Sequence, residues 1–206
     1  MTVMKLCSAV LLGAALAGAA APALACGTSN VVLDDKFEKL DPSWGNKSDN
    51  LFLADGKLAI KPDANAGYHA FNQSNIYADA DICVTAELGD GAGHYGLVVW
   101  GADDNNYYMF YAHPDGYFGL YRKVNGRWLT PYPSTNNAAI KKGAGQWNEL
   151  EIRTKGNHLV LLINGTQVAE ANGTPPQGGG MAGVYGESDS QTARATLYYQ
   201  EFKITQ

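Results

Sequence analysis

Tight-turn dipeptides recur through the chain at intervals that leave room for one β-strand between neighbours. Asp55-Gly56, Asp115-Gly116, Asn125-Gly126 and Asn164-Gly165 are four of them, joined by Asp103-Asp104-Asn105-Asn106 and Lys155-Gly156-Asn157. Asn-Gly and Asp-Gly pairs supply the positive φ angles that a short hairpin demands. The runs between them are short and rich in Val, Ile, Leu and Tyr: Val31–Leu33, Leu51–Leu53, Leu58–Ile60, Ile76–Leu88, Tyr95–Trp100, Tyr107–Ala112, Tyr117–Lys123, Arg127–Leu129, Leu150–Arg153, Leu159–Ile163, Gln167–Ala171, Gly183–Tyr185 and Ala195–Ile204. Beyond residue 26 no window keeps a helical period for three turns. Strands joined by tight turns pair antiparallel. The pattern, with 24 glycines, predicts an all-β fold, a two-sheet antiparallel sandwich or a closed barrel.

The first 25 residues read differently. Lys5 is followed by an uncharged Ala/Leu/Val/Gly run to Ala21, then Pro22 and the small-x-small site Ala23-Leu24-Ala25. This is the layout of a cleavable secretory signal, and the run is shorter than the roughly 20 residues of a membrane span. Residues 1–25 are expected to be a signal peptide and 26–206 one domain, periplasmic or secreted, with no membrane span. An uncleaved anchor helix and lipidation at Cys26 are the alternatives. Cleavage removes one charge, Lys5, from a formal net charge of −5. The remaining acidic chain has no basic cluster, which argues against nucleic acid and anionic membranes as partners.

Cys26 and Cys83 remain after cleavage, an even pair for an oxidising compartment. In Asp79–Leu88 the apolar residues fall on even positions, so Cys83 shares a polar face with Asp79, Asp81, Thr85 and Glu87. A Cys26–Cys83 disulfide is therefore expected. The alternatives are two free thiols, or a lipidated Cys26 that leaves Cys83 alone.

Residues 94–132 hold half of the chain's Phe, Tyr and Trp. Strict alternation assigns Leu97, Val99, Phe110, Phe118 and Leu120 to the core. It places Trp100, Tyr107, Tyr111, Tyr117 and Tyr121 on the other face, with Trp128 and Tyr132 nearby and His94 alongside. Tyr and Trp stack on the C–H faces of sugars and offer a hydrogen bond at the ring edge. The expected binding set is Trp100, Tyr107, Tyr111, Tyr117, Tyr121, Trp128 and His94, with an oligo- or polysaccharide as partner. The competing reading packs these rings beneath a loop at 143–146 or 175–180.

Several stretches together resemble one superfamily. They are Asp35-Lys36-Phe37 with Trp44 and Leu53–Leu58; Tyr95–Trp100, Asn106–Phe110 and Asp115-Gly116-Tyr117; and Ile140–Gly143, Trp147–Leu150 and Ile163-Asn164-Gly165. In order and spacing they resemble the concanavalin A-like lectin/glucanase superfamily, in its laminin-G-like branch beside the 3-keto-disaccharide hydrolases. The resemblance implies a two-sheet antiparallel jelly-roll sandwich. It allows lectins, binding modules and hydrolases alike, so function has to be read from the site.

The laminarinase-type members carry Glu-x-Asp-x-x-Glu on one strand, where alternation brings the carboxylates to one face. Glu149-Leu150-Glu151 and Asp79-Ala80-Asp81 lack the final carboxylate. The Phe-Asp-Asn that the superfamily often carries in its last strand is replaced by Tyr199-Gln200-Glu201-Phe202, so a structural calcium is unsupported. No metal or cofactor motif is present, and neither a metal nor a cofactor is expected. Of the four histidines, His94 and His113 are the better candidates because they lie in the aromatic segment. These features predict an exported, lectin-like carbohydrate-binding domain without an identifiable catalytic motif. The alternatives are a glycoside or 3-keto-disaccharide hydrolase, and a structural module of the cell envelope.

Overall fold

The computed structural model describes Cys26, Gly27 and residues 30–206; the signal-peptide expectation lies outside them. Fourteen strands run in chain order: β1 (Val31–Asp35), β2 (Leu51–Ala54), β3 (Lys57–Ile60), β4 (Ala66–Tyr77), β5 (Ala80–Asp90), β6 (Gly93–Asp103), β7 (Asn106–His113), β8 (Tyr117–Val124), β9 (Arg127–Asn136), β10 (Asn148–Lys155), β11 (His158–Ile163), β12 (Thr166–Asn172), β13 (Gly180–Ser188) and β14 (Thr196–Thr205). The only helical turn among the described residues is a 3-10 turn at Pro42–Trp44, capped by the Asp41 side chain. No described helix is long and apolar enough to cross a membrane.

The strands form two antiparallel sheets. One has the order β12-β11-β10-β5-β14-β3-β2, with β1 also paired to β14; the other has the order β4-β13-β6-β7-β8-β9. This is the expected sandwich. Leu97, Val99, Phe110, Phe118 and Leu120 of the second sheet are fully buried, against Val84, Ile152, Leu161 and Phe202 of the first. The period-two alternation of side chains along these strands put them there.

One strand was not anticipated and one expectation needs correction. The stretch before β5 reads poorly as a strand, because Gly67, His69, Asn72 and Gln73 interrupt its apolar pattern, yet β4 runs twelve residues as the edge partner of β13. Strict alternation also fails at Trp100. Its φ is +51°, and the register slips on both sides of it, between Val99 and Asp103 against β7 and between Met181 and Gly183 against β13. A bulge turns the following side chain to the opposite face. Trp100 therefore belongs to the core and does not pave the outer face. It is 3% exposed and edge-on to Tyr108, whose hydroxyl accepts the Thr174 N–H at 2.8 Å. The segment around Gly173 and Thr174 packs against both rings.

Cys26 and Cys83 form a disulfide across 57 residues. Cys83 sits on the outer face of the first sheet between Glu151 and Lys203. With its sulfur bonded to Cys83, Cys26 has no thiol to carry a lipid. Closing a loop of this length stabilises by up to about 4 kcal/mol through the unfolded chain.

Candidate functional site

The outer face of the second sheet carries a cleft of about 420 Å³. Its floor follows from strand register. One row across the sheet runs Tyr185, Gly96, Tyr111, Gly119 on β13, β6, β7 and β8. The large–small alternation lets rings lie along the sheet. A Cβ on Gly119 would come within 2.8 Å of the Tyr111 ring, and one on Gly67 of β4 within 2.2 Å of the Tyr185 hydroxyl. The next row brings Met109 beside Tyr121. Tyr111 and Tyr121 stack at 5.6 Å with an 18° interplanar angle, and Trp128 meets Tyr121 edge-on. Burial pushes the Tyr111 hydroxyl up to about 12 and raises that of Tyr185 further.

At one end of this floor four ionisable side chains converge. Register places Glu187 of β13 directly opposite His94 of β6. Asp189 lies just past the end of β13, where its N–H donates to the Ala92 carbonyl at 2.9 Å. Its carboxylate faces two imidazoles, with Oδ1 at 3.1 Å from His94 Nδ1 and Oδ2 at 3.0 Å from His113 Nε2. The Asp115 N–H donates to His113 Nδ1 at 3.0 Å, so the neutral ring carries its proton on Nε2 and donates to Asp189. On the other side of His94, Nε2 stands 3.6 Å from Glu187 Oε2. The Tyr185 hydroxyl donates a short hydrogen bond to the same Glu187 oxygen. All four side chains are partly exposed, His94 least and Glu187 most.

Two charge states follow. Burial opposes ionisation of Asp189, but the two histidine donors outweigh it and hold the carboxyl well below its usual range. The hydrogen bond to Asp189 raises His113 above the ordinary histidine value against a smaller opposing effect of burial.

Of the expected binding residues, His94, Tyr111, Tyr117, Tyr121 and Trp128 line the cleft. Tyr107 shares the face but is buried beside it, against His69, Phe71 and Trp128, with the Lys123 ammonium above its ring. Trp100 is on the core side, as described above, and Tyr132 stacks on the core ring Phe118. Sequence reasoning missed Tyr185, Glu187 and Asp189. Their signal was available: Tyr185-x-Glu187-x-Asp189 alternates onto one face. Glu187-Ser188-Asp189 also supplies the first two carboxylates of Glu-x-Asp-x-x-Glu, with Thr192 in the third place. Glu151, by contrast, lies on the outer face of the other sheet, bonded to Arg153.

Residues 34–204 match the model of the 3-keto-alpha-glucoside-1,2-lyase-like domain family. The chain belongs to this family. No curated protein matches the chain in sequence. Among solved structures, the carbohydrate-binding module CBM66 from Bacillus subtilis is 13% identical, over 72% of this chain and 86% of the module, with a TM-score of 0.59. The Bacillus licheniformis β-glucanase is 8% identical over 87% of this chain and all of its own, with a TM-score of 0.62. A LamA variant from Zobellia galactanivorans, solved with laminaritriose and laminaritetraose, is 12% identical over 86% of this chain and 99% of its own, with a TM-score of 0.63. These likenesses establish the concanavalin A-like jelly-roll fold of this family member.

Proposed function

We propose that this domain is exported and cleaves 3-keto glycosides by elimination, holding the oxidised sugar ring over Tyr111 and Tyr121 against the His94–His113–Glu187–Asp189 cluster. The observation that carries this reading is the cluster itself, an ionisable group at the end of an aromatic floor. Flat-lying tyrosines suit a pyranose face; a bare lectin floor has no need of a proton donor and acceptor beside it. Family membership supports the reaction class. The signal-like N-terminus and the Cys26–Cys83 disulfide support export.

The chemistry asks for two proton transfers. In a 3-keto glycoside the C3 carbonyl acidifies the hydrogen on C2. An acceptor removes that proton, and its electron pair forms a C2–C3 enolate. The enolate collapses to restore the C3 carbonyl, the C1–C2 double bond forms, and the bond from C1 to the glycosidic oxygen breaks. A donor protonates the departing oxygen, giving an enone and a free alcohol with no net oxidation. His113, raised by Asp189, suits the donor. His94 and Glu187, 3.6 Å apart at the same end of the floor, supply the acceptor in this reading.

The second reading is sugar binding without chemistry, favoured by the Tyr111–Tyr121 stack with Trp128 at its edge. One assay separates them. The purified protein is mixed with p-nitrophenyl 3-keto-α-glucoside and followed by nitrophenol release together with enone absorbance. Elimination releases both in equal amounts, and His113→Ala and Glu187→Gln each lower the rate at least a hundredfold. Binding that quenches Trp128 fluorescence without turnover would replace the lyase with a lectin. Nitrophenol without enone would mean hydrolysis.

A further inference from the structure

The contact between His94 Nε2 and Glu187 Oε2 is 3.6 Å long, beyond a hydrogen bond. Yet everything around it fixes the two atoms in place. Asp189 holds His94 through Nδ1 and is itself held by His113, while Tyr185 holds Glu187. Two ligand atoms held this close but too far apart to bond suit a shared third atom. With ligand bonds of about 2.0–2.2 Å to nitrogen and oxygen, a separation of 3.6 Å corresponds to a ligand–metal–ligand angle of roughly 110–130°, open enough for one cation between the two atoms. One ligand atom each from His94, Glu187 and Asp189 also lies within 4.8 Å of the others.

We propose that His94 Nε2 and Glu187 Oε2 hold a divalent first-row cation whose open positions take two neighbouring oxygens of the sugar. Asp189 behind the imidazole and Tyr185 beside the carboxylate then act as positioning residues. A carboxylate on the far nitrogen of a metal-binding histidine fixes its tautomer and raises its basicity. A mixed imidazole and carboxylate set favours manganese, cobalt or zinc over calcium. The two protein ligands come from β6 and β13, with the carboxylate behind them just past β13, so no single sequence motif spans them.

The inference rests on the elimination reading and extends it to the substrate's own oxygens. A 3-keto sugar offers its C3 carbonyl and C2 hydroxyl as an adjacent pair. Chelating them places positive charge where the enolate oxygen develops, and so lowers the barrier to losing the C2 proton. Glu187 Oε1, which bears none of the contacts above, takes that proton. An ordinary glycoside, with a hydroxyl at C3, would chelate more weakly and has no acidified C2 hydrogen.

The test uses purified protein without a histidine tag, stripped with chelator and titrated with Co²⁺. Calorimetry and the visible cobalt spectrum should report one site per chain. His94→Ala and Glu187→Gln should abolish the spectrum. Asp189→Asn should weaken binding about 10–100-fold, as the loss of such a supporting carboxylate does. His158→Ala, on the other sheet, should change nothing, and thermal melts confirm that each variant is folded. Failure to saturate at millimolar Co²⁺, or equal affinity in folded His94→Ala, overturns the cation site. Undiminished enone formation after exhaustive chelation overturns it while leaving the elimination reading intact. Saturable Co²⁺ binding that depends on His94, in a protein that forms no enone, upholds the site and overturns the lyase.

Discussion

The two sheets present outer faces of opposite character. On the eight-stranded sheet the charges neutralise one another locally. Glu151 is bonded to Arg153 at 2.6 Å, and Lys203 lies between Glu201 and Asp34. These pairs surround the Cys26–Cys83 disulfide. On the six-stranded sheet two carboxylates and two histidines converge with no arginine or lysine among the residues lining the cleft. The first face pairs each charge with an opposite one, whereas the second gathers its titratable groups at one point, a pattern common at functional sites. The aromatics divide as well. Trp100 and Tyr108 are buried in the core, whereas Tyr117 and Trp128 are exposed at the cleft and Tyr111 is buried in its floor.

Trp100 and Trp128 make the largest test of that division. Trp100 is 3% exposed and Trp128 45%. Trp100→Ala should cost about 3–5 kcal/mol, as buried aromatic truncations do. Trp128→Ala should cost under about 0.5 kcal/mol. Urea denaturation of the two variants gives both numbers. A loss below about 1 kcal/mol for Trp100→Ala would contradict its place in the core.

That bulge also marks where the sequence stops being legible. The fold class was readable because turn dipeptides and apolar alternation are local signals, and the stretch Asp79–Leu88 keeps its apolar residues on even positions throughout. The disulfide was readable because only two cysteines follow the apolar leader. Trp100 was misassigned because alternation presumes an unbroken ladder, and nothing local distinguishes a tryptophan that begins a bulge from one that continues a strand. Half of the cleft was legible for a related reason. His94, Tyr111, Tyr117, Tyr121 and Trp128 lie in one aromatic-dense segment, while Tyr185, Glu187 and Asp189 reach them from β13 and its end, much further along the chain, by a strand pairing that no local pattern encodes. Asp189 joins His94 to His113, so without it the two histidines look scattered.

A smaller effect sharpens the contrast between the charged groups. The Glu151 side chain is 4% exposed and relies on Arg153. Arg153→Met keeps much of the stem's packing but leaves the carboxylate buried without its cation, at a cost of roughly 1–3 kcal/mol. Pairing it with Glu151→Leu should recover most of the loss, since apolar replacement of both partners is often near neutral. In the cleft the direction reverses. Glu187→Gln removes one of two neighbouring carboxylates and keeps an acceptor for Tyr185, so stability should hold or rise by up to about 1 kcal/mol. Comparable destabilisation by Arg153→Met and Glu187→Gln would erase the distinction between the faces.

Gly119→Ala tests the floor itself. The added Cβ would sit 2.8 Å from the Tyr111 ring, so the ring must lift from the sheet. Overpacking of this kind costs about 1–3 kcal/mol where the neighbour cannot yield. Here the ring faces a cleft and can move, which places the expected cost at the lower end, near 1 kcal/mol. The larger consequence is geometric. Tyr111 would leave its 18° alignment with Tyr121, and the stacking platform would lose its flat face. A stacked ring contributes on the order of 1 kcal/mol beyond the area it buries, so affinity for a sugar ligand should fall about fivefold. Trp128→Ala should produce a similar loss of affinity with almost no change in melting temperature. Gly119→Ala therefore stands between the core and the cleft: a modest loss of stability accompanied by a loss of binding. If Gly119→Ala left sugar affinity unchanged while Trp128→Ala reduced it, the ligand would be resting on the Trp128 edge, and the Tyr111–Tyr121 stack would belong to the architecture of the sheet.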